Sequence, residues 1–291
     1  MVKCSVIIVS FGQFEYLKAA IDALKASPPP FAYEIIVVDN HSSEDVQEFL
    51  NEYFHDIRVI RSPANHGFGW ANNRGAAAAE GEYLLFLNSD AEVVGPALEA
   101  MVNFMDKDGR VGVLGPLLLN TDGSFQLSSG NKISLGAECY QKALAPRVEK
   151  WRYALRRGKP FARETSWVSG ACLLTRRDLF AKEPPFDENM FLYFEDHELC
   201  LRVRAMGKKV VYYGGARVRH HGGRSGAGLP GTMLEYRRSQ LYLYQKYLSR
   251  WQTFLLRRYL SCKFSHRRRH AGSEKERQAA ADVLELLKEK N

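Results

Sequence analysis

Ser5-Val6-Ile7-Ile8-Val9-Ser10 is followed, after a stretch of helical composition from Phe14 to Ala26, by Glu34-Ile35-Ile36-Val37-Val38-Asp39. Their apolar runs, Val6 to Val9 and Glu34 to Val38, read as short buried strands and the segment between them as a helix. The pattern repeats through the first 120 residues. Arg58 to Ile60, Tyr83 to Leu87 and Val111 to Leu114 are further strands, and Ser43 to Phe54, Gly69 to Ala79 and Pro96 to Asp106 further helices. Ser42-Ser43-Glu44-Asp45 offers acceptor side chains for a helix cap and acids for a first turn. A βαβαβ series predicts an α/β fold: a Rossmann-like, mostly parallel sheet flanked by helices, with right-handed crossovers. Ligands of such sheets sit beyond the carboxyl ends of the strands, so the polar residues after each run are the ones to read for function.

Residues 121–165 differ. Polar loops lead into a basic stretch with Arg147, Lys150, Arg152, Arg156, Arg157, Lys159 and Arg163, read as a partly helical excursion. Trp167 to Thr175 reads as a buried strand, followed by a helix near Arg176 to Lys182. Glu195 to Met206 is helical and ends at Gly207, and Lys209 to Tyr213 is another strand. From Thr232 the pattern is helical, closing with a charged helix from Glu274 to Lys290.

With 291 residues and 45% hydrophobic content, the chain can form one large α/β domain with an appendage. Its cysteines (Cys4, Cys139, Cys172, Cys200, Cys262) are scattered, which predicts a reducing compartment with no zinc site and no disulfide framework. The amino terminus lacks the pattern of a secretory leader, and no run approaches the ~18 apolar residues of a membrane span. The expected location is cytoplasmic. The net charge of +8 is concentrated: Tyr236 to Ser273 holds ten Lys or Arg and no Asp or Glu. The rest of the chain is therefore near neutral.

Several clusters carry chemistry. Asp39-Asn40-His41-Ser42-Ser43 follows the second strand, where a carboxylate can accept from a base imide or a ribose hydroxyl, or simply cap a turn. Asn65-His66-Gly67-Phe68-Gly69-Trp70-Ala71-Asn72-Asn73-Arg74-Gly75 opens a helix whose backbone N–H groups suit phosphate or sugar hydroxyls. Asn88-Ser89-Asp90 ends an apolar strand with hard oxygen donors suited to Mg²⁺ or Mn²⁺; its bland reading is a helix cap. Glu195-Asp196 opens a helix, where carboxylates are favoured electrostatically, and His220-His221-Gly222-Gly223 can supply a neutral imidazole. Together these point to an enzyme acting on a phosphorylated substrate.

In this order and spacing, the stretches Ser5–Phe11, Val37–Ser43, Asn65–Asn73, Phe86–Asp90, Val168–Cys172, Phe194–Arg202 and His220–Gly223 resemble family 2 glycosyltransferases of GT-A fold. Within that family the similarity is to bacterial rhamnosyltransferase-like members. It spans residues 4 to about 225. The departure is Asn88, where many members carry an acid, so the site has one negative charge fewer.

The resemblance implies inverting transfer of a sugar from a nucleotide diphosphate donor. It implies a donor site of Ser10, Asp39, Asn40, Asn65, Gly67, Phe68, Asn72, Asn73, Asn88, Ser89 and Asp90, with Asp39 as the nucleoside-binding acid. Asp90 would hold Mg²⁺ or Mn²⁺, with His220 as a second metal ligand or a diphosphate contact. Asp196 would be the general base, with Glu195 as runner-up, and Trp167, Gly170, Ala171 and Glu195 would face the acceptor. The expected organisation is a donor half over 1–120, an acceptor and catalytic half of the same domain over 121–230, and a helical C-terminal extension over 231–291. The best expectation for the donor is dTDP-L-rhamnose and for the acceptor a saccharide or lipid-linked saccharide of a bacterial surface polysaccharide. Galactosyl, glucosyl or N-acetylglucosaminyl transfer from a UDP-sugar is the alternative.

In the extension, Leu241, Tyr242, Tyr244, Tyr247, Leu248, Trp251, Phe254, Leu255 and Tyr259 interleave with Lys246, Arg250, Arg257, Arg258 and Lys263. As one helix this is an aromatic stripe flanked by cations, which predicts contact with an anionic membrane surface on the cytoplasmic face of the inner membrane. A packing helix with a solvated basic face is the plainer alternative. Nucleic acid binding is not expected, because the acidic clusters upstream do not suit a phosphate backbone. Dinucleotide-dependent oxidoreduction is set aside because the turn after the first strand, Ser10-Phe11-Gly12-Gln13-Phe14-Glu15-Tyr16, has one glycine where the fingerprint needs three. A non-catalytic binding protein that kept a transferase fold is the rival that Asn88 leaves open.

Overall fold

The structure, a computed structural model, describes residues 1–134, 136–137, 144–156, 159–222 and 231–289. Cys139, Arg157, Gly223 and Lys290, noted above, lie outside these. The first five strands are β1 (Cys4–Ser10), β2 (Tyr33–Asp39), β3 (Arg58–Arg61), β4 (Tyr83–Asn88) and β5 (Ala91–Val94). With them come α1 (Phe14–Ala26), α2 (Val46–Asn51), α3 (Phe68–Ala78) and α4 (Ala97–Lys107). The strands β6 (Val111–Leu119), β7 (Phe125–Gln126) and β8 (Ser129–Gly130) precede α5 (Ala145–Arg156). Then come β9 (Ala162–Glu164), β10 (Trp167–Val168), β11 (Cys172–Arg176), α6 (Glu195–Ala205) and β12 (Lys209–His220). The chain closes with α7 (Thr232–Tyr247), α8 (Arg250–Arg269) and α9 (Glu274–Leu286).

The central sheet runs β3-β2-β1-β4-β11-β6-β12-β5, with β7 on β6 and β9 on β12. The four strands β3, β2, β1 and β4 are parallel, as is β6 with β12. β11 runs antiparallel between β4 and β6. β1 and β2 are buried nearly throughout, which is why their sequences show no alternation. Two apolar layers cover the faces. One gathers Leu17, Ile21, Leu50, Met101 and Met105 from α1, α2 and α4, and the other Ala71, Phe186, Leu199 and Val203 from the side of α3 and α6. Ser10, Asp39 and Asn88 thereby end neighbouring parallel strands on one edge.

Four expectations change. The second helix begins at Val46 because Asp45, not Ser42, is its cap: the Asp45 carboxylate accepts from the N–H groups of Gln47 and Glu48. The stretch Trp167 to Thr175 is two strands, β10 on β8 and β11 on β4, interrupted at Ser169-Gly170-Ala171. The helix near Arg176 is a single 3₁₀ turn, Arg177–Phe180. The strand at Lys209 does not stop at Tyr213; a shift in register between Tyr213 and Arg217 absorbs Gly214 and Gly215 and carries β12 on to His220.

The extension is not one helix. Ser249 caps α8 through a capping box with Gln252, which breaks the expected stripe after α7. Its α7 half is packed. Tyr244 is fully buried, Tyr242 donates to Asp187 at 2.9 Å, Tyr247 to Glu198 at 2.6 Å, and Lys246 contacts both acids. These residues are committed because the buried Glu198 and the well-covered Asp187 need partners. The α8 half does present Trp251, Phe254, Leu255 and Tyr259 to solvent. Its inner face (Leu256, Leu260, Phe264) packs with Val283 and Leu286 of α9. No helix among the described residues is long and apolar enough to cross a membrane.

Candidate active site

At the carboxyl ends of β1, β2 and β4 lies a cavity of about 260 Å³. Asn40, Asn65, Gly67, Phe68, Asn88, Ser89, Gly170, Ala171, Glu195, Asp196 and His220 line it, together with Phe11 and the backbone stretch Phe191–Tyr193. Eleven residues read from sequence as site candidates therefore meet at one place.

The others sit around it in supporting positions. Ser10 is buried and approaches the Gly12 carbonyl at 3.5 Å. Asp39 is fully buried; one oxygen accepts the Ser42 N–H at 2.8 Å, and the other accepts no hydrogen bond but lies 3.6 Å from Arg61 Nε. Asn72 donates within its own helix to Phe68 O. Asn73 staples α3 to the segment before α6, donating to Phe186 O at 2.8 Å and accepting from Phe186 N at 2.9 Å. Their amides are thus spent on the scaffold. Gly67 has φ of 93° and its Phe68 neighbour donates to Phe191 O at 2.9 Å, so the backbone of 191 occupies the space a side chain would need. Asn40 joins the same loop by donating to Asn65 Oδ1 at 2.9 Å.

The short strand β5, not anticipated from sequence, pairs antiparallel with β12 and sets Ala91 opposite His220. His220 Nε2 then lies 3.4 Å from Asp90 Oδ1 and 3.4 Å from the Asn88 amide nitrogen. Its Nδ1 is 2.9 Å from Gln126 Oε1, and the Gln126 NH₂ donates to Asn120 Oδ1 at 3.1 Å. That donation fixes which end of the amide faces the ring, so Gln126 Oε1 accepts from Nδ1 and turns Nε2 toward Asp90 and Asn88. His221 is engaged elsewhere, with Glu92 at 2.5 Å. Asn88 Oδ1 is buried with no hydrogen-bond partner. The Asp90 carboxylate and His220 Nε2 therefore lie together beside Asn88, whose amide nitrogen faces the ring and whose oxygen lacks a partner, and this set of donor types fits a hard or borderline divalent cation. Among the described residues no three His, Cys, Asp or Glu side chains form a complete cage.

Across the cavity, α6 starts abruptly. Tyr193 and Phe194 both have φ of 69°, left-handed values that few bulky residues adopt, and the kink aims Glu195 and Asp196 inward. Asp196 Oδ1 accepts from the backbone N–H of His197 at 2.7 Å and lies 2.8 Å from that residue's Nδ1; Oδ2 accepts the Gly170 N–H at 2.9 Å. Burial pushes the Asp196 carboxyl up, but the His197 imidazole and these donors outweigh it and hold Asp196 below its ordinary range. Glu195 goes the other way. Burial, then the Asp196 charge, raise it strongly, and its Oε2 has no hydrogen-bond partner. The pair is split into an ionised Asp196 and a protonated Glu195.

Glu195 and Asp196 also form part of a second cavity, of about 290 Å³. Its walls are aromatic: Trp167, Tyr193, Phe194 and Tyr236, with Ile133, Lys132 and Asn131. Trp167 stacks on His197 with centroids 4.2 Å apart. His197, Gln126, Tyr193 and Tyr236 were not among the expected site residues. The adjacency of His197 to Asp196 was a usable signal; Gln126 and Tyr236 lie in segments whose sequence carries no marker of the site.

The profile of glycosyl transferase family 2 matches residues 5–183 of the 291. This chain belongs to glycosyl transferase family 2. The N-acetylglucosaminyl-diphospho-decaprenol L-rhamnosyltransferase of Mycobacterium tuberculosis is 28% identical over 255 residues, 82% of each chain. The rhamnosyltransferase WbbL of Escherichia coli K12 is 26% identical over 237 residues, covering 76% of this chain and 85% of that one. A crystal structure of GalNAc-T7 with UDP, GalNAc and Mn²⁺ superposes with a TM-score of 0.62 at 18% identity, covering 99% of this chain but 56% of that one, and so supports the GT-A fold alone. The chain is a glycosyltransferase, similar to rhamnosyltransferases of the family.

Proposed function

We propose that this glycosyltransferase moves a hexose, L-rhamnose from dTDP-L-rhamnose, with inversion onto a lipid-linked saccharide in bacterial surface polysaccharide synthesis. The observation that carries the reading is that one acid pair, Glu195 and Asp196, is shared by two cavities. An inverting transferase needs its base between donor and acceptor, opposite the leaving diphosphate. The polar cavity at the strand ends takes the donor. The aromatic cavity takes the acceptor sugar, whose apolar faces stack on Trp167 and Tyr236. The names of the relatives support rhamnose and a lipid-linked acceptor. On this reading residues 1–120 supply most of the donor site and 121–230 the acid pair and acceptor wall, with Tyr236 added by the extension.

Asp196 takes the acceptor proton. Three hydrogen bonds orient its carboxylate. Their cost in basicity is tolerable because the hydroxyl becomes acidic as its oxygen bonds to the anomeric carbon. Glu195, neutral, donates a hydrogen bond rather than accepting a proton. Asp90, His220 and the Asn88 oxygen would hold Mg²⁺ or Mn²⁺, which when bound would neutralise the diphosphate charge. Asn40, Asn65 and the start of α3 bind the donor's polar groups, and the Asp39 carboxylate, with one oxygen that accepts no hydrogen bond, is placed behind them for the nucleoside.

A thermal-shift panel of dTDP-, UDP- and GDP-sugars with Mg²⁺ or Mn²⁺ tests the donor, because a bound ligand raises apparent stability by mass action. Stabilisation by dTDP-L-rhamnose above the UDP-sugars, followed by turnover to a product of inverted anomeric configuration, is expected. Preference for a UDP-sugar would reassign the donor, and binding without turnover on any acceptor would leave a binding protein.

A further inference from the structure

A third cavity, of about 420 Å³, adjoins the aromatic one, with Asn131 in both walls. Three arginines from three elements face it: Arg152 of α5, Arg163 of β9 and Arg204 of α6. Arg152 and Arg163 each donate to Glu149 Oε1 at 2.9 Å. Arg163 also reaches Ser129 Oγ at 3.3 Å, and Arg204 holds Thr165 O and Ser166 Oγ at 3.1 Å. Only two acids, Glu149 and Glu164, share the wall. A guanidinium has five N–H donors, and these contacts use a part of them, so oriented forks remain for an anion. Arginine forks match phosphate oxygens in pairs, which a carboxylate-free sugar would not require.

The helix that supplies Arg152 carries a second feature. Leu144, just before α5, and Val148, Trp151 and Leu155 within it recur at helical spacing, and Leu144, Trp151 and Leu155 are 53%, 64% and 60% exposed. Arg147 and Lys150 lie beside this stripe in sequence. An outward apolar stripe among cations is the signature of a helix lying in a lipid headgroup layer. Turned from that stripe, Ala145, Glu149 and Arg152 line the arginine cavity.

We propose that the Arg152–Arg163–Arg204 cavity binds the phosphate or diphosphate joining the acceptor sugar to its lipid, with α5 seated at the membrane surface above it. The proposal rests on the reading of the neighbouring aromatic cavity as the acceptor sugar site. Arg152 of α5, Arg163 of β9 and Arg204 of α6 then hold the charged linker while the sugar reaches Asp196 and the lipid stays in the bilayer.

The test is calorimetric titration of the full chain, in EDTA, with geranyl diphosphate, inorganic pyrophosphate and geraniol. Geranyl diphosphate should bind, pyrophosphate more weakly, and geraniol not measurably at the same concentration. Arg152→Glu should weaken geranyl diphosphate binding tenfold or more at unchanged melting temperature, Arg152→Lys should keep part of it, and folded Arg204→Gln should weaken it as well. Arg152 is exposed and bonded to Glu149, so its variants stay informative if Arg204→Gln does not fold. Equal binding by wild type and Arg152→Glu would overturn the site. Pyrophosphate binding as tight as geranyl diphosphate would overturn the lipid-linked source in favour of a free phosphate. Failure of the catalytic reading is seen separately, as undiminished turnover of Asp196→Asn on an unphosphorylated acceptor.

Discussion

Asp196 Oδ1 lies 2.8 Å from the Nδ1 of His197, the next residue in the chain, and that ring is stacked on Trp167. The contact ties the carboxylate proposed to deprotonate the acceptor to the wall of the acceptor cavity. Asp196→Asn keeps the size of the side chain but cannot take a proton. It should lower turnover by roughly 10²-fold or more, with donor affinity little changed. Turnover within a few-fold of wild type would remove Asp196 from the role. His197→Ala should leave a slower enzyme, through loss of orientation, whose donor binding is intact.

Glu195 provides a pH test. Its carboxyl is pushed up to about 8 in the folded protein, against an ordinary 4.5, by burial first and the Asp196 charge second. Between those values the folded chain keeps a proton that the unfolded chain releases. The stability tied to this group is therefore complete below about pH 4.5 and is lost as pH rises through about 8. Glu195→Gln should melt higher than wild type at pH 8 to 9 and show no such advantage at pH 4. If the neutral acid is a hydrogen-bond donor in the reaction, wild-type activity should fall above about pH 8. The glutamine variant should then keep activity and lose that alkaline limb. A variant as inactive as Asp196→Asn would make Glu195 the base.

Gln126 should matter although it touches His220 and not the cavity wall. By accepting from Nδ1 it orients the ring with Nε2 toward Asp90, and outer partners of ligating histidines typically account for 10–100-fold in metal affinity. Gln126→Leu should weaken Mn²⁺ binding in the presence of donor by about that factor, followed by manganese spin resonance as well as by activity. Asp90→Ala and His220→Ala should weaken it further, and EDTA should abolish turnover. Full activity in EDTA would instead assign diphosphate neutralisation to cationic side chains.

The sequence revealed the site's components better than their assembly. β1, α1 and β2 were legible because buried parallel strands are uninterrupted apolar runs, and the residues after them had to face the ligand edge. Gly170 was placed inside a strand, yet its N–H is free to hold Asp196 only because the strand breaks there. β5 is four residues long and follows a turn; it exists through its pairing with β12, a contact between positions some 130 apart that no local pattern encodes. A separation of 94 positions hid the partnership of Gln126 with His220 in the same way. The aromatic stripe of the extension was legible as composition. Its division between a packed α7 and an exposed α8 depends on the capping box at Ser249 and on acids in other elements.

That division sharpens the last prediction, membrane contact by α8. Trp251 and Phe254 stack 5.5 Å apart on its outer face, with Leu255 and Tyr259 exposed beside them. Arg250 and Arg258 are exposed at the same surface, whereas Arg257 is turned to the end of α9, donating to Leu287 O at 3.0 Å. Cations near anionic lipid gain about 1 kcal/mol each, so a few should give measurable binding to vesicles containing phosphatidylglycerol. Binding should weaken with salt as the Debye length falls from about 10 Å at 0.1 M to about 3 Å at 1 M, and retain an apolar remainder from the inserted aromatics. Reversing Arg250 and Arg258 to Glu should reduce vesicle binding and activity on a lipid-linked acceptor while leaving activity on a short soluble acceptor intact. Arg257 is left in place because its loss would uncap α9 and confuse destabilisation with lost attraction. Trp251→Ser should lower the salt-resistant part alone. Vesicle binding that is equal in wild type and the double reversal would leave α8 as a packing helix with a solvated basic face.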